Sequence, residues 1–329
     1  MNISKLNRGL KKVKWTTNDA LFSVGLKSLS KRSTGKQIII YHGVTNNAKT
    51  DINARFISAQ LFEKQIAYFK QHFNVVTLHD YFNGASHPNK LTLAITFDDG
   101  YLNNLTEALP ILEKHSVSAT FFITTIQQFE STILWADALD LYRYTILKNT
   151  FEFEGVVYQK SNNEFISKHG LLKHFLKKSD WKIKKQLVEL ILEDNLFLKN
   201  DSLKPYHQLL SENDIVTLSK SSYAEIGSHA LYHNCLTEVA LGDARDELII
   251  SKNYLENITQ KEVTNFAYPD GDYNQKLIDC VEDVGYKNQL VVNYISEQDK
   301  ADKRLENRFG INPYISFNNQ IQCLINGKY

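Results

Sequence analysis

Two clusters of polar residues interrupt otherwise apolar runs of this chain. Asp98 and Asp99, followed by Gly100, end the strand-like stretch from Leu91 to Phe97. Adjacent side chains on a strand point to opposite faces, but a chain that turns at the strand end can aim both acids at one pocket. Carboxylates at the C-terminal ends of strands are where α/β and barrel enzymes place their chemistry. The second cluster is Gly227-Ser228-His229-Ala230-Leu231-Tyr232-His233, which follows the short run from Ala224. On a helical turn this spacing sets both imidazoles on one face, ready to share a metal ion. Taken alone, an Asp-Asp-Gly is ordinarily a turn and a His-x3-His is ordinarily packing. Together, each after a strand-like run, they point to a metal site.

In combination the motifs resemble the polysaccharide deacetylase family, the NodB-homology type of carbohydrate esterase family 4. Thr96-Phe97-Asp98-Asp99-Gly100, Gly227-Ser228-His229 with His233, and Phe266-Ala267-Tyr268-Pro269-Asp270-Gly271 occur in the family's order. Ile38 to Val44, Ser118 to Phe122 and Ala224 to Gly227 also resemble its strands, so the likeness spans about residues 37 to 315. It implies a distorted (β/α) barrel of about seven strands, NodB-like, in the α/β class.

The resemblance assigns Asp99, His229 and His233 as metal ligands and Asp98 as the general base that takes a proton from water. The metal it implies is a divalent transition ion, zinc first, with cobalt or nickel also fitting such ligands. Such an ion polarises an acyl carbonyl and lowers the pKa of water to about 7. By the same resemblance, Pro269 fixes a turn whose backbone N–H, on Asp270, serves the oxyanion and substrate, a plain turn being the alternative. Trp135, in Leu134-Trp135-Ala136-Asp137, resembles a motif that supplies an aromatic wall, with packing of the insertion as the plain alternative. Tyr101, next to the aspartate pair, is also expected against the substrate.

Two departures from the family pattern shift roles elsewhere. The family places an arginine two residues before the third-motif proline, to orient the base, and this chain has Ala267 there. Arg308, in Asn307-Arg308-Phe309-Gly310, is the substitute expected to pair with Asp98, an ordinary salt bridge being the alternative. No histidine follows His233, so the usual late general acid is missing. His42, closing the first strand, is the candidate for that role or for substrate binding, against a purely structural histidine.

The elements that must position these residues alternate. Strand-like runs at Ile38–Tyr41, Leu91–Phe97, Ala119–Ile123, Tyr223–Ile226, Val263–Tyr268 and Gln289–Asn293 are separated by helical periodicity at Gln60–Phe73, Leu102–His115, Glu212–Lys220, Thr237–Asn257 and Gln275–Val284. This βα alternation predicts a mainly parallel sheet or barrel. Pro110 is expected to kink or shorten its helix. The alternation stops between about residues 127 and 208, read as an inserted, mostly helical subdomain with a hairpin turn at Glu154-Gly155. The domain reading is thus a basic N-terminal segment, residues 1–36, and a deacetylase-like domain, 37–329, carrying that insertion.

Composition narrows the classes. A 329-residue chain with 43% hydrophobic and 23% charged residues buries a full core, and its net charge of +1 gives no reason to expect nucleic acid. The three cysteines, Cys235, Cys280 and Cys323, are widely spaced and read as isolated thiols. Up to Lys36 there are nine Lys or Arg against one acid, Asp19, interleaved with Val13, Trp15, Val24 and Leu26. Such a segment, residues 1–35, suits peripheral contact with an anionic bilayer, or else packs as an ordinary helix. No apolar run of signal-peptide length follows the basic residues, so a cytoplasmic location, at most peripheral at the inner membrane surface, is expected.

By resemblance the activity is metal-dependent N-deacetylation of an acetylated sugar or polysaccharide precursor, lipid-linked or nucleotide-linked. An O-deacetylase or deformylase would need the same site. A catalytically inactive glycan-binding module is the rival from another class.

Overall fold

The computed structural model describes residues 3–29, 34–161, 164–194 and 197–329. After helix α1 (Ile3–Ser23) come β1 (Lys36–Tyr41), the short parallel pair β2 (Val44–Thr45) and β3 (Ile57–Ser58), α2 (Ala59–His72), β4 (Asn74–Val75), α3 (Leu78–Phe82) and β5 (Thr92–Phe97). A π-helical turn at Asn104–Ala108 leads into α4 (Leu109–His115), followed by β6 (Ala119–Ile123). Pro110 lies in the first turn of α4, where its missing N–H breaks no helical bond, so the expected kink takes the form of a change in helix type.

The chain then leaves the barrel for α5 (Trp135–Thr145), strands β7 (Thr150–Phe153), β8 (Val156–Ser161), β9 (Glu164–Ser167) and β10 (Gly170–Leu171), α6 (Leu172–Lys177) and α7 (Trp181–Asp194). Helices dominate this insertion, but it also holds an antiparallel meander in the order β10-β9-β8-β7. Glu154 and Gly155, at φ 51° and 68°, make its first turn, as a two-residue hairpin loop requires. Trp135, Leu139, Phe151, Phe165, Leu172 and Leu187 give the insertion a core of its own, which Phe56 and Tyr101 join from the barrel side.

The barrel resumes with α8 (Glu212–Lys220), β11 (Ala224–Ser228), α9 (Leu241–Thr259), β12 (Asn265–Ala267), α10 (Gln275–Asp283), β13 (Asn288–Val291), β14 (Leu305–Asn307) and β15 (Phe309–Gly310), and ends in α11 (Phe317–Asn326). The sheet order is β14-β13-β12-β11-β6-β5-β1-β15, every neighbouring pair parallel, with β4 beside the start of β5. β14 and β15 stand at opposite ends of that order, yet only Arg308 lies between them in sequence. One extended segment therefore pairs Leu305 with Gln289 and then Phe309 with Ile39, and so closes the barrel. Counting β14 and β15 as one stave, the eight strands make a nearly closed barrel of seven staves.

Alternation along the strands sorts the core. Ile39, Phe97, Phe121, Phe266 and Val291 face the surrounding helices and meet Phe62, Ile215 and Leu248. Ile38, Ala94, Phe122, Ala267 and Leu290 form a separate inner cluster that Leu78 and Tyr81 of α3 join. Continuing the inner row of β5 from Ala94 through Thr96 brings Asp98 inward.

Helix α1 packs one side against α11. Buried Asn319 donates to the Trp15 carbonyl and to Asp19 Oδ1, which also accepts from Ser316. Lys11, Val13 and Lys14 remain exposed on α1, while residues 1–2 and 30–33 of the basic segment lie outside the described residues. Among the described residues no helix is long and apolar enough to cross a membrane.

Gly43 is set by contact: a Cβ there would lie 2.0 Å from the Phe56 ring. Gly43→Ala is expected to destabilise the protein by about 1–3 kcal/mol through overpacking. Urea denaturation checks this, and an unchanged midpoint would contradict it.

Candidate active site

At the end of β5 the chain turns through Asp99 and Gly100, at φ 76° and 78°. This left-handed turn swings Asp99 into the mouth that Asp98 already faces. Seven non-glycine residues have positive φ among the described residues, and four of them, Asp99, Ala230, His233 and Asp270, gather here. Such strain is held only where the surroundings over-determine it, and it concentrates at functional sites.

His229 and His233 do not share a helical turn, contrary to the expectation from their spacing. β11 ends at Ser228, and the next residues form an irregular loop in which Ala230 and His233 adopt φ 60° and 54°. Two left-handed residues, rather than helical periodicity, bring the rings together, with centroids 5.0 Å apart.

Asp99 Oδ1 lies 3.5 Å from His229 Nε2 and 3.2 Å from His233 Nε2. All three residues are buried, and their prospective ligand atoms lie within 4.8 Å of one another. His229 Nδ1 donates to the Ala267 carbonyl at 2.7 Å, which leaves Nε2 as the unprotonated nitrogen facing the cluster. Asp99 Oδ2 is taken by Arg55 Nη1 at 3.0 Å, whereas Oδ1 is buried with no hydrogen-bond partner. An orphaned carboxylate oxygen facing two imidazole nitrogens fits a divalent transition metal.

At Asp99 and His229 the electrostatics agrees with that fit. Burial pushes the Asp99 carboxyl up, but Arg55 and His233 outweigh it and hold the group well below the usual range. Burial lowers His229, favouring the neutral ring that a metal needs. For His233 burial acts the same way, but the Asp99 carboxylate, with Oδ1 3.2 Å from Nε2, reverses it and raises the ring.

Asp98 goes to a different partner. Arg308 meets it bidentately, Nη1 to Oδ1 at 2.7 Å and Nη2 to Oδ2 at 2.8 Å, and also donates to Thr96 Oγ1 at 3.2 Å. Both groups are buried, Arg308 at 3% and Asp98 at 4% exposure. Burial alone would raise the Asp98 pKa, but the Arg308 charge and hydrogen bonds lead the effects that bring it below its ordinary value. The guanidinium also rests 5.4 Å from the Phe122 ring centroid.

His42 lies partly buried at the same mouth, where burial pushes its pKa down to about 4 against the pull of Asp99. Its ring is therefore neutral at neutral pH. Pro269 is buried in the turn that sets Asp270 at φ 58°. The Asp270 carboxylate pairs with Lys177 of α6 at 2.6 Å, so the insertion reaches the rim of the site.

Two substrate contacts expected from the sequence do not form. Tyr101 is 0% exposed and donates through its hydroxyl to Asp137 Oδ2 at 2.7 Å. Trp135 is 1% exposed inside the core of the insertion, with Nε1 donating to the His233 carbonyl at 3.4 Å. Neither ring offers a face to a sugar; both brace the site from behind.

Sequence reasoning missed Arg55 and Asp137. Arg55 bridges Asp99 to Asp137, with Nη2 2.7 Å from Asp137 Oδ1, and Asn53 donates to the same oxygen at 3.1 Å. Burial drives the Asp137 carboxyl up to about 7, against the opposing charge of Arg55. No spacing pattern flags Arg55; Asp137 stood two residues from Trp135 in a motif read only for its aromatic ring.

A family model, Polysaccharide deacetylase, matches residues 85–289, more than half of the chain. No curated protein matches the chain in sequence. Among solved structures, the Streptococcus pyogenes deacetylase PplD in complex with acetate is similar at TM-score 0.57 and 16% identity, covering 90% of this chain and 99% of that one. IcaB from Ammonifex degensii is similar at 0.56 and 15%, covering 89% and 98%. A de-N-acetylase from Aggregatibacter actinomycetemcomitans is similar at 0.52 and 16%, covering 88% and 99%. These distant likenesses bear on the fold, and the family model bears on descent: the chain belongs to the polysaccharide deacetylase family.

Proposed function

We propose that the protein is a metal-dependent hydrolase that removes N-acetyl groups from an acetylated sugar or polysaccharide precursor. The observation that carries this reading is the division of two adjacent carboxylates, Asp98 to Arg308 and Asp99 to a pair of imidazoles. Deacetylases of this family generally use a divalent metal, and Asp99, His229 and His233 are the residues that would hold it. When bound there, zinc, cobalt or nickel supplies Lewis acidity that polarises the acyl oxygen and acidifies water.

The chain's own residues then divide the remaining work. Asp98, kept ionised and oriented by two hydrogen bonds from Arg308, accepts a proton from the attacking water. The backbone of Asp270, fixed by Pro269, stabilises the oxyanion. His42, neutral before reaction, takes over the proton that Asp98 removed from water and passes it to the amine nitrogen as the C–N bond breaks, which returns both groups to their starting states. The Aggregatibacter protein of similar fold is a de-N-acetylase, which supports N- over O-deacetylation.

We also propose that α1 rests on an anionic bilayer. Its single acid, Asp19, turns inward to Ser316 and Asn319, leaving Lys11 and Lys14 beside exposed Val13. Lys11→Glu/Lys14→Glu is expected to weaken flotation with anionic liposomes, and unchanged flotation would remove this part of the reading.

Two outcomes test the catalytic assignment. Asp98→Asn should lower acetate release by about 10²–10⁴-fold while metal content stays at the wild-type level, and His233→Ala should lose metal; full activity in both would overturn the roles. The depressed Asp98 pKa sets the pH dependence: the base is present above that pKa and is lost only as pH falls through it. The acidic limb of kcat/KM should therefore lie below the ordinary carboxylate pKa of about 4. Zinc- or cobalt-loaded protein should release acetate faster from N-acetylated than from O-acetylated oligosaccharides, and the reverse ranking would assign an O-deacetylase.

A further inference from the structure

The loop that carries His233 is gripped from three sides by groups outside the ligand set. Glu247 of α9, 4% exposed, accepts from the Tyr232 N–H at 3.1 Å through Oε2 and from Asn234 Nδ2 at 2.7 Å through Oε1. One carboxylate thus holds the residues on both sides of His233. Asn234 Oδ1 in turn accepts from Lys184 Nζ at 2.7 Å. Lys184 belongs to α7 of the insertion and is 0% exposed, with its ammonium 5.3 Å from the Trp135 ring centroid. Trp135 completes the cage by donating to the His233 carbonyl.

Each member has a physical reason to be there. A buried lysine and a buried glutamate are costly unless paired, and the Asn234 amide joins them as a relay, donating to one and accepting from the other. A non-glycine residue at φ 54° is strained by about 1–3 kcal/mol and stays so only under external restraint. His233 has no helix to fix it, so restraint comes from the neighbouring amide and side chain and from its own carbonyl. Two of the three grips originate in the insertion or pass through it.

We infer that Lys184, Asn234 and Glu247 are positioning residues that hold His233 in its ligating conformation, so that the inserted subdomain is a working part of the metal site. This rests on the metal reading given under Proposed function. The general expectation for groups that orient a ligand from behind is a loss of about 10–100-fold in metal affinity on mutation.

The test is Co²⁺ affinity, by competition with a chromophoric chelator, together with the Co²⁺ visible spectrum, in the full-length protein and in Glu247→Gln, Lys184→Met and Lys184→Arg. Glu247→Gln replaces one acceptor with a donor facing the Tyr232 N–H or the Asn234 amide. Lys184→Met keeps most of the buried apolar stem and removes the ammonium with its charge and its bond, so it remains informative even where Glu247→Gln does not fold. The expected result is a roughly tenfold or greater loss of Co²⁺ affinity and an altered spectrum in Glu247→Gln and Lys184→Met, with recovery in Lys184→Arg. Wild-type affinity and spectrum in folded Lys184→Met would overturn the inference, as would a lower melting temperature with metal binding untouched. A wild-type protein that binds no Co²⁺, like its His229→Ala/His233→Ala control, would overturn the metal reading as well, which separates the two failures.

Discussion

The ion pair between Arg308 and Asp98 is the interaction on which fold and chemistry jointly depend. Arg308 occupies the single position where the last extended segment leaves β13 and joins β1, the point of barrel closure. Its guanidinium points inward, between Thr96, Asp98 and the Phe122 ring. Phe122 can lie there because Gly227 opposite has no Cβ; one would sit 2.5 Å from the ring. A buried cation in a barrel mouth is costly unless fully paired, and a bidentate carboxylate answers most of that cost. The closure thus calls for an acid at the end of β5, and that acid is the one proposed above as the base.

The neighbouring carboxylate follows the opposite logic. Asp99 spends one oxygen on Arg55 and leaves the other unpaired, buried and facing two imidazoles. An unpaired buried oxygen is expensive, so the arrangement stores a demand that a cation would meet. Arg55 is itself divided between Asp99 and Asp137, and Asp137 takes the Tyr101 hydroxyl. The insertion therefore reaches the site by charge through Asp137, and by hydrogen bonds through Trp135 and Lys184.

Much of this was legible in the sequence, for reasons that can be named. The strands β5 and β6 and helices α2, α8 and α10 appeared within a residue or two of their ends because the apolar period is strong there, and in the structure Ser58, Ser211 and Asn274 cap the three helices. The pairing of Arg308 with Asp98 was anticipated from the missing arginine at Ala267, and the geometry has it. The helical turn assumed for His229 and His233 was wrong because periodicity says nothing about two left-handed residues in a loop. Tyr101 and Trp135 were placed on substrate because aromatic type does not reveal which face a ring presents. Arg55 was invisible, since its contact with Asp99 is made by tertiary folding across 44 positions and no local pattern encodes it.

The most direct measurement is the pH dependence of acetate release by Arg308→Gln beside the wild type, with metal content determined on the same samples. Removing the guanidinium takes away the largest of the effects that lower the Asp98 pKa and leaves burial opposed only by the neighbouring His229 and His42, so its pKa must rise. The account predicts an acidic limb displaced upward by about one pH unit or more, lower kcat, and unchanged metal content. An Arg308→Gln protein with the wild-type profile and rate would contradict it.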